Sequence, residues 1–477
     1  MVGKLKKFVA PLPPPSLIPV GAPGNLCWPD RFIIITLFCY FLAYPFALRN
    51  LMGVIYPLAL TGLLIVVALA CTLGKAPVLM QGVQRGDRML KVGLLLYGLY
   101  FAILMLASIL HSAESIVAIS AVYEMRELMF ALIILFLLSD RGVLFSLRLY
   151  VEVLTWCSVL GLLLVFLNYV GVIYPITEVN LDNLPGGGEN RRLFFGIGFI
   201  WPNTWLGSPL GLERLQSFAD EAGTFGFAVL PAILLATYWR MKGRVLIMTV
   251  ALIFTFSVGA ILAWLFITLF GFSAAAKYER GKVKRIVTVL LLVSVFLLIA
   301  NYLPFDLLEQ FNRYLSAKYT SGDSEGTSVG SRLAALEIAL DAIKENPFGF
   351  GANSSGLSLN LGNASLAIGW FVPLVEAGVL GWLIYVLAFG AILVHALHNA
   401  ISSKNIGRIC AIVILVNGYA AFQRAGIDAN IWQLFWLIIY IRVNGMLIDN
   451  VGNSVHKEVV LDRQNLSVKQ FVNGGNL

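Results

Sequence analysis

Nine cations set the chemical question in this chain: Arg49, Arg191, Arg192, Arg214, Arg313, Lys318, Arg332, Lys344 and Arg424. They fall in segments that the charge pattern assigns to the outer side of a membrane, where basic residues are normally scarce. Seven of the nine are Arg, whereas the cationic residues assigned to the inner side divide evenly, 12 Lys and 12 Arg. A topology signal does not need that skew, but an anion site does. The guanidinium is planar, permanently charged and donates in pairs, which suits phosphate. Most of the outer set lies in two long polar stretches, near 173–222 and 304–364.

Three constellations stand out within these stretches. The first is Arg191-Arg192 and then Arg214, which precedes Asp220-Glu221-Ala-Gly-Thr224 at the opening of an apolar run. The acidic pair either caps the helix that begins there or takes a proton from a substrate hydroxyl, and the arginine pair either anchors at lipid headgroups or holds an anion. The second constellation is Ser331 to Gly351. Leu333, Leu336, Leu340 and Ile343 recur at helical spacing, so the segment predicts a short amphipathic helix with Ser331 as N-cap. Asn346-Pro347 ends that helix, and Gly349 and Gly351 permit a tight loop after it. Arg332 then sits in the first turn, where a cation opposes the helix dipole unless an anion binds beside it. The third is Glu376 in VPLVEAGVLGW, an ionisable group at the edge of an apolar segment. Such a group usually faces a cavity or a partner, here as a base or as the ion-pair partner of an outer Arg.

The elements that must position these residues are membrane helices. Hydrophobic residues make up 59% of 477, charged residues 13%, and mean hydropathy is +0.83. The predicted fold class is all-α, a polytopic integral membrane protein with about twelve transmembrane helices and two large periplasmic loops. The spans run near 32–48, 51–73, 92–111, 116–138, 149–172, 223–239, 245–258, 259–276, 286–303, 379–398, 407–422 and 429–446. The pair at 245–276 breaks at Thr255-Phe-Ser257-Val-Gly259, and Ser365 to Glu376 reads as a half-helix or tilted segment lining a cavity. Domain boundaries follow: a Pro-rich cytoplasmic tail at 1–31, a membrane domain at 32–447, and a cytoplasmic tail at 448–477. Putting both termini in the cytoplasm places 24 of the 34 Lys and Arg on that side.

The net charge of +8 belongs to inner loops and does not imply nucleic acid. The five Cys form no CxxC pair, and no spacing predicts a metal or a cofactor. His395 and His398 read as a helix cap at the inner face, and Glu124, Arg126 and Glu127 as a buried network. No phosphate-cradling GxxxxGK[ST] is present, so a bond made on the outer face must draw on an activated substrate.

The outer segments resemble the bacterial O-antigen polymerase and O-antigen ligase superfamily, the Wzy-like and WaaL-like membrane glycosyltransferases. The resemblance is carried by Arg214 with Phe218-Ala-Asp-Glu-Ala-Gly-Thr-Phe225, by the broken apolar pair at Thr255-Phe-Ser257, and by Arg332 with Glu345-Asn-Pro-Phe-Gly-Phe-Gly351 and Glu376-Ala-Gly-Val-Leu-Gly381. It implies glycan transfer from an undecaprenyl-diphosphate carrier at the periplasmic face of the inner membrane, without a metal, in O-antigen or other lipopolysaccharide or exopolysaccharide synthesis. It also implies partners in a chain-length regulator and a flippase. On that reading Arg191, Arg192, Arg214, Arg313 and Arg332 bind the diphosphate, and Arg214, Arg332, Glu376, Asp220 and Glu221 are the catalytic candidates. Ligases of the superfamily carry a His-Asn pair about nine residues before Glu-x-Gly, where this chain has Ala367-Ile368. That departure favours a polymerase over a ligase. A flippase of lipid-linked oligosaccharide is the third reading, and it would have to use the charged cluster near Arg126.

Overall fold

The computed structural model describes residues 30–35, 38, 62, 88–111, 138–172, 177–180, 190–194, 198–201, 214–217, 222–268, 330–352, 370–402, 406–423 and 435–444. The helices are α1 (Arg88–Leu110), α2 (Asp140–Tyr169), α3 (Ala222–Tyr238), α4 (Lys242–Phe254), α5 (Val258–Phe266), α6 (Gly330–Glu345), α7 (Val372–Ser402), α8 (Ile406–Gln423) and α9 (Phe435–Asn444). α1, α2 and α7 are each long and apolar enough to cross a membrane. Their outward faces carry Leu95, Leu106, Trp156 and Leu387 exposed, a surface suited to lipid rather than water. Apart from residues 62 and 138, the expected spans near 51–73, 116–138 and 286–303 lie outside the described residues, as do residues 1–29 and 448–477.

α1 and α7 pack antiparallel along their length. Gly93 lies against Ala388 and Ile392, and Ile103 against Gly381, so position numbers rise along one helix as they fall along the other. A Cβ on Gly93 would stand 2.9 Å from Ile392 Cγ1. Small residues at such a seam let backbones approach where lipid offers no hydrophobic drive. Tyr97, Tyr100 and Tyr385 fill the middle of the seam with tilted ring contacts.

The opposite flank is built on α2. The helix opens at Asp140, nine residues before the predicted span. Ser139 caps it by accepting from Gly142 N at 3.1 Å, and Asp140 suits the positive end of the dipole. Its 30 residues span about 45 Å, more than the hydrocarbon thickness. Ser139 is also held by Asp30, and Arg442 reaches Leu138 O and Asp140. Asp30, the start of α2 and the end of α9 therefore meet at one end of the bundle. Arg244 at the start of α4 pairs with Glu152 of α2. His395 does not act as a helix cap: α7 continues to Ser402, and the imidazole is buried against Tyr440 OH at 2.7 Å.

The all-α expectation needs one correction. Between α2 and α3 the chain forms a four-stranded antiparallel sheet in sequence order: β1 (Thr177–Asn180), β2 (Asn190–Phe194), β3 (Gly198–Trp201) and β4 (Arg214–Ser217). Open sheet edges are excluded from lipid, but a sheet at the wet or protein-covered end of a bundle escapes that limit. The β-forming residues of the stretch, such as Phe199-Ile200-Trp201, were masked in the sequence by its Gly, Pro and Asn content.

Candidate functional site

β4 is wedged among the helices rather than lying on top of them. Leu215 is fully buried against Gly161 of α2, where a Cβ would stand 2.7 Å from Leu215 Cδ1. Ser217 is also buried, and its Oγ donates to the Cys157 carbonyl at 3.0 Å. Counting back from Tyr169, Cys157 lies about 18 Å below the end of α2. Ser217 has φ +53, a left-handed backbone that a β-carbon disfavours. Strain of this kind persists only where the surroundings enforce it, and it clusters at functional sites. α3 begins five residues later.

The sheet register collects arginines. Arg192 pairs with Ile200, and Ile200 with Leu215. Arg191, Trp201 and Arg214 thus occupy the next row across β2, β3 and β4, with Trp201 and Arg214 directly paired. Two strand spacings separate the Arg191 and Arg214 backbones by about 10 Å. The chain breaks again near by. α4 ends at Phe254, Phe256 takes φ +48, and α5 starts at Val258. Thr255 Oγ1 and Ala260 both approach Gly226 of α3, so this break closes on the opening turns of that helix.

A second knot forms where α6 ends. α6 opens two residues earlier than predicted, at Gly330, which places Ser331 inside the first turn beside Arg332 rather than at the cap. Of the predicted stripe, Ile343 packs on the buried face, Leu340 does not, and the side chains of Leu333 and Leu336 lie outside the described residues. Ala339 and Ala342 are buried against Leu374 and Val375, while Leu340 is exposed. α7 has its own break: Gly378 sits at φ 70, ψ −173, dividing a first turn from the long helix. Of the half-helix anticipated from Ser365 to Glu376, residues 365–369 lie outside the described residues, and Val372 onward forms that first turn. Asn346-Pro-Phe-Gly-Phe-Gly351 threads into the break. Phe350 N donates to Val375 O at 2.9 Å, Gly351 N to Glu376 O at 2.9 Å, and Val379 N to Pro347 O at 3.0 Å. Gly349 and Gly351 take φ +86 and +92, the tight loop that the sequence called for.

The C-terminal end of α1 ties this knot. Ser108 Oγ accepts from Ala352 N at 2.8 Å. His111, which the sequence reading passed over, reaches Asn346. Its Nδ1 lies 3.0 Å from the Ala107 carbonyl. That oxygen only accepts, so Nδ1 carries the proton and Nε2 accepts from Asn346 Nδ2 at 3.0 Å. Asn346 Nδ2 donates also to Gly349 O at 2.8 Å, and Oδ1 accepts from Phe348 N at 3.2 Å. The signal available in the sequence was a titratable residue at the outer end of a span. Asn346→Ala removes all three side-chain bonds and should cost about 1–3 kcal/mol, read as a lowered unfolding midpoint in detergent. His111→Ala should add little in that background, because the bond they share is already gone.

The predicted site residues divide among these places. Arg191, Arg192 and Arg214 lie on one sheet. Arg332 opens α6, and Asn346 follows its end, about 21 Å farther along the axis. Glu376 is buried at 5% exposure, and its carbonyl serves Gly351. Lys344 pairs with Asp341 at 2.7 Å on the exposed face of α6, and this contact raises the Lys344 pKa; it is a surface pair. Arg313, Asp220 and Glu221, like the cluster near Arg126, lie outside the described residues.

No curated protein matches the chain. Residues 244–386, from the first turn of α4 to the middle of α7, match the Wzy_C family model, described as O-antigen ligase. The match includes the Thr255–Ser257 break, Arg332 and the Glu376-Ala-Gly378 knot, whose geometry accounts for a Glu-x-Gly pattern: only glycine fits the break, and the residue two before it supplies the carbonyl that the loop pairs with. With its long apolar helices the chain is an integral membrane protein that is similar, over these residues, to the O-antigen ligase and polymerase superfamily.

Proposed function

We propose that this protein is a polysaccharide polymerase that transfers glycan repeat units from an undecaprenyl-diphosphate carrier to a lipid-linked acceptor, at the periplasmic face of the inner membrane. The observation that carries the reading is the Arg-rich outer set, with Arg191 and Arg214 in one row of a sheet wedged into the bundle. In the reaction an acceptor hydroxyl oxygen bonds to the anomeric carbon of the donor. The bond from that carbon to the diphosphate breaks, the hydroxyl loses its proton, and the lipid diphosphate leaves with the bonding pair. The activated donor supplies the driving force, so the reading needs neither a nucleotide nor a metal. Guanidinium groups stabilise the charge developing on the leaving diphosphate. Each charge-assisted contact contributes roughly 1.5–3 kcal/mol, so two supply several powers of ten in rate at about 1.4 kcal/mol per tenfold. Asp220, Glu221 and Glu376 are the candidates to accept the proton, and Arg313 and Arg332 extend the anion-binding set along the path of the substrate. A chain-length regulator and a flippase are the partners such an enzyme would work with.

A ligase that moves finished glycan to the lipid A core is the second reading, and His111 favours it. Where the ligase pattern has His-Asn and this chain has Ala367-Ile368, α1 brings a different imidazole to the Asn346 loop. Deleting the gene separates the two. The polymerase reading expects a surface capped with single repeats and no ladder of longer chains. Long lipid-linked polymer accumulating behind an uncapped core would overturn it in favour of the ligase.

A further inference from the structure

The first turn of α3 buries a hydroxyl that has nothing to bond. Thr224 is 7% exposed, and its Oγ1 has no hydrogen-bond partner among the described residues. Other buried hydroxyls in the bundle behave differently. Ser108 donates to Leu104 O, Ser146 to Gly142 O, Thr155 to Val151 O and Ser158 to Leu154 O, each one turn back. Thr224 is the third residue of its helix and has no helical carbonyl four positions before it. Burying a polar group without a partner is costly, and such a group in a folded protein asks for an explanation.

Its position supplies one. The Cα–Cβ bond of a helical residue tilts toward the N-terminus, so Thr224 leans to the end of α3 where the dipole favours an anion. β4, with Arg214 at its start, packs against that helix. The break at Thr255–Ser257 closes on Gly226, two residues along α3. Non-helical backbone from two segments therefore borders this turn inside a membrane bundle, an arrangement found where backbone is covered by protein or lines a cavity. We propose that Thr224 Oγ1 donates a hydrogen bond to an oxygen of the lipid diphosphate, completing with Arg214 a phosphate-binding end of α3. This rests on the carrier-diphosphate reading above and adds a neutral donor to its arginines.

Thr224→Val keeps the shape and removes the hydroxyl. With purified full-length protein in detergent and undecaprenyl diphosphate as the probe, the valine variant should bind roughly ten- to a hundredfold more weakly. Its unfolding midpoint without ligand should be unchanged or raised, because the lost group bonded nothing. Thr224→Ser should restore binding. Wild-type affinity in a folded Thr224→Val protein overturns the assignment, even if glycan transfer falls, since the hydroxyl then serves another part of the substrate. A midpoint lowered without ligand overturns it too, by exposing a structural partner. If binding depends on Arg214 and not on Thr224, the carrier-diphosphate reading stands and only this inference fails. If the wild-type protein does not bind the probe, both fail.

Discussion

Gly378→Ala should sharply lower both the yield of folded protein and its unfolding midpoint. Gly378 sits at φ 70, ψ −173, a backbone region open in practice only to glycine. A Cβ there would stand 2.2 Å from Pro347 O and 2.5 Å from Phe348 C, both backbone atoms that no rotamer change can move. The facing position is as tight: a Cβ on Gly349 would meet Glu376 O and Gly378 N, each at 2.5 Å. Relief requires pulling the 346–352 loop out of the α7 break, which forfeits the bonds to Val375 O and Glu376 O and the bond from Val379 N. Strain and lost bonds together should exceed about 4 kcal/mol, a large part of the roughly 5–15 kcal/mol by which proteins are stable. Gly390→Ala, twelve residues along the same helix with nothing within 4 Å of the new Cβ, is the control. It should purify like the wild type. Equal yield and unfolding midpoint for the two alanine variants would show that the loop does not need the break.

Arg214→Ala should fold and lose most of its glycan transfer. β4 is held by Leu215 against Gly161 and by Ser217 on Cys157 O, so its anchors are independent of Arg214. Losing one charge-assisted contact to a leaving diphosphate predicts roughly a ten- to hundredfold fall in kcat/KM, measured as elongation of lipid-linked repeats by purified protein. Arg214→Lys should fall between, since a lysine keeps the charge and loses the bidentate fork. A folded alanine variant within about twofold of wild type would remove Arg214 from the site, because a single such contact is worth far more than that.

Some of this architecture was legible in the residues. The class follows from composition, because a chain this apolar has no other way to satisfy its backbone in lipid. The ends of α1, α3, α7 and α8 fall within about seven residues of the predicted spans, since runs of apolar residues report directly on hydrocarbon thickness. α6, its end at Asn346-Pro347 and the glycine loop after it were readable for the same kind of reason. Proline and glycine act through local backbone geometry.

What could not be read depended on contacts between distant segments. The sheet needed β1 to β4 to find one another across loops of no clear pattern. On the buried face of α6, Ala339 and Ala342 pack against α7 beside Ile343 while Leu340 is exposed, because small residues allow the closer approach. His111 lies 235 residues from Asn346, and only antiparallel packing of α1 on α7 brings them to 3.0 Å. The arginines illustrate the division best. Their number and type, and the side of the membrane that the charge pattern expects for them, come from the sequence, because charge and hydropathy are local. Only the tertiary structure decided that Arg191 and Arg214 share a row of one sheet while Arg332 opens a separate helix, about 21 Å along its axis from Asn346, because strand register and helix length, not residue type, fix where a charge ends up.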